Sequence, residues 1–511
     1  MENTSIKARY SNLATHRDPF LSRARDCALL TIPSLIPPDG STGATKLKTP
    51  YQSLGARGVN TLASKLLLTL LPPNSPFFRL TIDDFTLQEL TQQEGMRAEV
   101  EEALNQVERA VMNEIESSAL RTPAYAALRH LLVGGNVLTY LMPQGGMKVF
   151  PLANYVTKRD TSGNVLEIIT LEKVAPAALS PELKAFALAN KDSKDVNKDV
   201  EIYTRIIRKD KNWEVEQEVG GAVWPKSKGT YPLDKSPWIP LRFIAIDGED
   251  YGRGFVEEYM GDMLSLEGLT KAIVQASAAA SKVVFLLRPN GTTSAKTLAE
   301  AESGDIKQGS AEDVTVLQMD KYADFRVALE TRTQLQESLS FAFMLNTAIQ
   351  RNGERVTAEE IRYMAQELEA TLGGIYSTLS VEFQLPMVTR LMHQMERKNK
   401  LPALPQGIVR PTIVTGVEAI GRGNDLNKLS QFMQGLAQIP EAMGAINVSD
   451  FVKRWGTSLG IDMKGLVKSE EEMAQAQQQA QMMQMAEKLG PNAVNQLGGM
   501  AQKQMDQAPP Q

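Results

Sequence analysis

The residues with chemical potential are few and widely spaced. Three histidines (His16, His130 and His393) and one cysteine, Cys27, are the whole set of soft ligands, too small to build a zinc site within one chain. A lone cysteine forms no intrachain disulfide, and Cys27 reads as a small buried apolar residue against the alternative of a reactive thiol. Adjacent carboxylates at Asp83-Asp84 and across Glu470 to Glu472 carry the oxygen donors that a hard divalent cation takes, although a solvated surface run has the same composition. The sequence has no G-x-x-x-x-G-K-[ST] loop, no H-E-x-x-H, no C-x-x-C and no G-x-S-x-G. ATP hydrolysis, zinc peptidase chemistry and serine hydrolysis therefore lack their usual equipment, and no cofactor is implied.

Two glycine pairs, Gly252-Arg253-Gly254 and Gly421-Arg422-Gly423, can expose backbone N–H groups to a phosphate, but a bare G-x-G serves a turn or a close helix contact more often. Arg351 and Arg355 flank Asn352-Gly353-Glu354 in a polar break between two long helical patterns. Side chains there are free to meet a partner, and two arginines beside a glutamate suit either a solvated loop or a weak contact with nucleic-acid phosphates.

The rest of the chain has to position these groups. It has 511 residues, enough for two to four structural units, and 42% hydrophobic and 23% charged residues with a mean hydropathy of -0.23 place it among globular proteins. The net charge of -5 has the wrong sign for a protein that holds nucleic acid mainly by neutralising phosphates. Met1 to Arg25 has no uninterrupted apolar core and reads as neither signal peptide nor anchor. The most apolar run, Leu62 to Leu71, contains Lys65 and stops at Pro72-Pro73, short of the roughly 20 residues that span a bilayer, so no membrane partner is expected.

The hydrophobic spacing predicts helices over Leu13 to Leu30, Ser53 to Leu71, Val100 to Ser118 and Tyr125 to Val133. Strands follow at Val137 to Met142, Met147 to Leu152, Tyr155 to Arg159, Val165 to Glu172, Val200 to Arg208, Trp213 to Val219 and Trp238 to Ile246, with Leu183 to Asp199 an exposed excursion. Gly254 to Lys282 contains no proline and repeats apolar residues at helical spacing, which predicts one helix about 40 Å long. Its small-residue end, Ala276 to Lys282, permits close approach by a neighbouring helix. Strands at Val283 to Leu287 and Val314 to Met319 then precede a second long helix, Lys321 to Ile349, so the insert sits at the tip of a stalk if the two helices are antiparallel.

Thr357 and Glu360 have capping-box spacing, and the seam from Ile361 to Phe383 makes the strongest helical signal, kinked at Pro386 and ended by Pro402 and Pro405. Thr412 to Gly416 resembles a returning strand, and shorter helices run on to Val467. Met473 to Gln511 holds 11 Gln, 6 Met and no aromatic residue, a composition that closes no core, and Gly490 to Gln511 reads as disordered. The fold class is α+β, predominantly helical.

Six runs carry a resemblance to a known family: Gly55 to Lys65, Gly135 to Leu138, Tyr251 to Gly254, Phe341 to Asn346, Gly353 to Arg362 and Gly416 to Gly423. In this order they resemble the portal, or head-to-tail connector, proteins of short-tailed double-stranded-DNA bacteriophages of the podovirus type, over residues 18 to 425. The resemblance implies a homo-oligomeric ring, commonly a dodecamer, at one capsid vertex. Through it a terminase motor packages double-stranded DNA, and a tail adaptor protein later attaches, with capsid, scaffolding and internal core proteins as further partners.

It also implies a portal fold of wing (1–253), first stem helix (254–282), clip (283–319), second stem helix (320–349), tunnel loop (350–356), wing helix and returning strand (357–422) and crown (423–489). The tunnel loop would set Arg351, Asn352 and Arg355 against DNA. The clip would offer Arg288, Asn290, Lys296 and Lys307 to the motor and tail. From Tyr251 to Ala348 there are nine basic and thirteen acidic residues, a lining that repels DNA and lets it slide. A capsid scaffold, a tail adaptor or a packaging motor enzyme are the competing readings, and the missing phosphate loop weighs against the last.

Overall fold

The computed structural model describes residues 5–73, 76–82, 96–190, 199–280, 284–317, 322–345, 364, 366–368, 370–402, 408–413, 430–435, 451–452 and 455–456. The chain divides into two compact units. The first comprises Met1–Thr81, Val107–Gln406 and Arg410–Val417, and the second Ile82–Gln106, Gly407–Val409 and Glu418–Gln511. Among the described residues of the second unit, Phe451 and Trp455 meet edge to face at 5.3 Å.

Helices open the first unit. Ser5 caps helix Ile6–Leu30 by accepting a bond from the Ala8 N–H, so the helix starts seven residues before the apolar pattern suggests and carries Pro19 within it. Helix Leu54–Leu70 buries Val59, Leu62, Ala63, Leu66 and Leu70 completely, and helix Arg121–Gly134 packs against it. Between them in sequence lies helix Met96–Ser117, whose Val107, Val111 and Ile115 are buried at helical spacing.

The described strands are Phe78–Ile82 (β1), Asn136–Leu141 (β2), Met147–Pro151 (β3), Tyr155–Arg159 (β4), Val165–Val174 (β5), Val200–Lys209 (β6), Asn212–Val219 (β7), Ala222–Val223 (β8), Gly229–Pro232 (β9), Trp238–Arg242 (β10), Val284–Leu287 (β11), Val314–Leu317 (β12) and Val409–Ile413 (β13). A six-stranded antiparallel sheet runs β4-β5-β6-β7-β8, with β9 also on β7. A three-stranded sheet runs β10-β2-β3, β11 pairs with β12, and β13 returns to β1. Ile6, Tyr10 and Leu13 of the first helix cover one face of the larger sheet at Val156, Ile169 and Tyr203.

Several elements depart from the sequence pattern. The excursion over Leu183 to Asp199 begins as a packed helix, Pro181–Ala189, because Ala187 and its neighbours Leu183 and Phe186 close over Val200, Ile202 and Val219. The run from Gly254 divides into Phe255–Glu258 and Met260–Ala280 at Tyr259, so the continuous helix is about 32 Å long. At this junction the Phe255 ring lies 5.1 Å from Tyr259 and 5.2 Å from Phe343. Pro386, with no N–H to donate, enters helix Leu385–Arg397 through a π turn over Ser380–Gln384, the local form of the expected kink. Among the described residues no helix is long and apolar enough to cross a membrane.

Candidate functional site

Met260–Ala280 and Tyr322–Ala342 pack together, and the antiparallel β11–β12 pair closes their far end. Met263, Leu266 and Leu339 are fully buried. At the foot of this helix pair the structure brings together four of the runs that carry the family resemblance.

Gly135 ends helix Arg121–Gly134 in the left-handed conformation (φ 71°), its N–H bonded to the Leu131 carbonyl. A Cβ on Gly135 would lie 2.3 Å from the Arg253 carbonyl carbon, and one on Gly254 would lie 2.7 Å from the Val133 oxygen. The neighbouring Asn136 clasps the approach: its Nδ2 donates to the Gly252 carbonyl at 2.8 Å, and its Oδ1 accepts from the Gly252 N–H at 2.7 Å. The Gly252-Arg253-Gly254 pair is thus a backbone packing device, with the Gly252 N–H already engaged.

The helix Leu54–Leu70 docks in the same way. A Cβ on Gly55 would meet the Leu30 oxygen and Met263 Cε at 2.5 Å, and one on Gly58 would meet the Phe343 ring at 2.6 Å. Lys65, which in sequence only interrupts an apolar run, is buried and donates to the Met344 carbonyl at 3.0 Å, with Glu367 at 3.6 Å. Burial lowers the Lys65 pKa, and Glu367 opposes that shift. Sequence spacing gives one signal for this residue: a lone cation on an otherwise apolar helix face must find an acceptor.

At the far end, Arg288, Asn290, Lys296 and Lys307 are all exposed. Lys307 pairs with Asp305 at 3.3 Å, and Lys296 lies on the short helix Ala295–Ala299. They form no convergent site. What orders the tip is Asp313, whose carboxylate accepts from the Thr292 N–H and hydroxyl and from the Thr293 N–H and hydroxyl, while its own carbonyl accepts from the Arg288 N–H. Desolvation raises the Asp313 pKa, but these donors outweigh it and hold the carboxyl below the usual range.

The surface of this segment is unusually apolar. Of eighteen large exposed hydrophobic residues among those described, nine lie between Leu264 and Phe341, including Phe341 at 79% exposure, Val327 at 65% and Ile306 at 99%. A single copy leaves this area in water, whereas burial gains about 25 cal/mol per Å2. A long helix pair with a tip insert needs lateral partners to bury its length, and these residues are the ones that one chain leaves uncovered.

Arg351, Asn352 and Arg355 lie outside the described residues, as do Asp83-Asp84, Gly421 to Gly423, Glu470 to Glu472 and the Gln/Met-rich end. Among the described residues no three His, Cys, Asp or Glu side chains gather as a metal site. Cys27 is buried at 1% exposure, which pushes its thiol up to about 12, and His130 is buried with its pKa lowered to about 4 by desolvation and by Arg129. Neither is placed for chemistry.

The family described as bacteriophage head to tail connecting protein matches residues 3–467. The chain is 44% identical to a portal protein of Escherichia phage T7 over 93% of this chain and 91% of that one, and 42% identical to a portal protein of Enterobacteria phage T3 over 96% and 92%. It is 30% identical to a portal protein of Pseudomonas phage phiKMV over 90% and 91%. The solved neck of an empty GTA particle contains a chain that aligns with 74% of this chain and 86% of its own length, at 10% identity and a TM-score of 0.36, a likeness too slight to carry argument.

Proposed function

The chain belongs to the bacteriophage head-to-tail connecting protein family, and from that membership we infer its work as the portal of a short-tailed phage. It is the connector at the capsid vertex, serving genome packaging and ejection. The observation within the fold that carries this reading is the long helix pair with a hairpin tip and apolar residues exposed along it, which needs neighbours of its own kind.

A closed ring of about twelve copies supplies those neighbours, since a heterologous interface that closes covers the same two faces in every subunit. In this reading Met260–Ala280 and Tyr322–Ala342 are the stem helices, and the β11–β12 hairpin with its loop is the clip. Residues 1–253 form most of the wing, joined by the helices around Leu385–Arg397, and 423–489 form the crown. The clip residues Arg288, Asn290, Lys296 and Lys307 meet the terminase motor during packaging and the tail adaptor afterwards. Capsid, scaffolding and internal core proteins are its further partners, during assembly in the host cytoplasm or at the capsid vertex of the virion. Residues 350–356 form the tunnel loop, where Arg351, Asn352 and Arg355 touch passing duplex DNA. The role is structural, with the driving force for translocation supplied by a separate ATPase.

Negative-stain imaging with mass measurement of the purified protein tests the assembly: rings with a central hole are expected, and a monodisperse monomer at micromolar concentration overturns it. Deleting residues 290–308 should leave rings but abolish packaging or tail attachment. Filled, tailed particles from that deletion would refute the clip assignment.

A further inference from the structure

Helix Leu385–Arg397 carries Arg390, His393 and Arg397 at spacing i, i+3, i+7, which aligns them along one face. Arg390 Nη1 donates to the Lys235 carbonyl at 3.1 Å and brings the turn Leu233–Lys235 onto that face. The Arg390 guanidinium is buried and stacks over the Tyr231 ring at 5.1 Å, so it contributes charge from beneath the surface; Lys235 and His393 are partly exposed and Arg397 is exposed.

Some other surface lysines of this unit are paired. Lys148, Lys158, Lys209, Lys226 and Lys400 each hold a carboxylate partner. Among the described residues Lys235, Arg390 and Arg397 form no ion pair, and the carboxylate nearest His393 is Glu396, with 3.9 Å between Oε2 and Nδ1. Asp234, in the same turn, makes no ion pair with them. The imidazole registers the resulting field: burial lowers the His393 pKa, and Lys235, Arg390 and Arg397 lower it further against the pull of Glu396. In a chain with a net charge of -5, Lys235, Arg390 and Arg397 outnumber Asp234 and Glu396 on this face.

We propose that Lys235, His393 and Arg397, backed by the buried Arg390, form a binding surface for the phosphate backbone of duplex DNA. This surface is separate in sequence from the hairpin tip and from residues 350–356. Lys235 and Arg397 supply the exposed charge and His393 a neutral hydrogen-bonding group between Arg390 and Arg397, a line rather than a cup. Positions 390 to 397 span about 10 Å along the helix, a length that follows successive phosphates on a strand and leaves inorganic phosphate only one partner at a time. The choice of duplex DNA rests on the portal reading above.

The test uses the assembled protein and closed circular duplex DNA, which has no end to thread through a channel. Mass measurement of each preparation reports separately on the ring, so loss of assembly and loss of this surface are distinguishable. Wild type should bind. Lys235→Gln with Arg397→Gln should weaken binding roughly tenfold or more at about 50 mM salt and reduce the slope of log K against log salt by about two. Lys235→Arg with Arg397→Lys should restore both. Inorganic phosphate at constant ionic strength should not displace the DNA at millimolar concentration; displacement there would mark a free-phosphate site and overturn the duplex assignment. Unchanged affinity and slope in the Gln variant would also overturn the proposal, as would a lower melting temperature with unchanged DNA binding, which would leave these cations only the task of balancing the helix C-terminus.

Discussion

Gly135→Ala tests whether close backbone approach holds the foot of the helix pair to the body. Two costs combine. An alanine at φ 71° costs about 1–2 kcal/mol in the left-handed region. Its Cβ would also sit 2.3 Å from the Arg253 carbonyl carbon and 2.5 Å from the Gly254 nitrogen, so backbone must move, a change of the overpacking kind that costs about 1–3 kcal/mol. Movement here also stretches the two Asn136 bonds to Gly252, at 2.7 and 2.8 Å. The expected loss is about 2–5 kcal/mol, read as a fall of roughly 0.5–1 M in the urea midpoint at fixed protomer concentration, since the slope of stability against urea is steep in a long chain. Gly135→Asn separates the two costs, because asparagine tolerates the left-handed region yet carries the same Cβ. It should retain a loss of about 1–3 kcal/mol. An asparagine variant within about 0.5 kcal/mol of wild type would refute the close-approach argument and leave only the dihedral.

Two further outcomes follow from the electrostatics. His130 has a folded pKa of about 4, below its unfolded value, so its stabilising effect is present above about pH 6.5 and is lost as the pH falls toward 4. It should account for about 2 kcal/mol between roughly pH 7.5 and 5, visible as a shallower pH dependence of the denaturation midpoint in His130→Leu, and parallel curves would sink the assignment. Arg351→Ala with Arg355→Ala should leave rings intact and change DNA retention or packaging yield; less stable rings with normal retention would instead show that Arg355 braces the loop against Glu359.

Most elements were legible in sequence because local periodicity fixes them, whereas β1, β8 and β9 are too short or too weakly patterned to announce themselves. Alternation set β4 at Tyr155–Arg159, turn residues set the β2–β3 hairpin, and helical spacing set both long helices and the insert between them. The packing role of Gly252 and Gly254 was also readable, since a bare glycine pair serves close approach more often than phosphate. Tertiary structure decided what depends on distant partners. Tyr259 interrupts the helix at a cluster that its ring and that of Phe255 form with Phe343, 84 positions from Tyr259. Lys65 is tolerable in an apolar face because the Met344 carbonyl waits opposite it, and Pro181–Ala189 is a packed helix because β6 and β7 offer it an apolar face. The uncovered residues along the helix pair, such as Val327 and Phe341, follow the same logic. A hydrophobic residue at helical spacing announces that it must be buried, and only the folded chain shows which of them it has failed to cover.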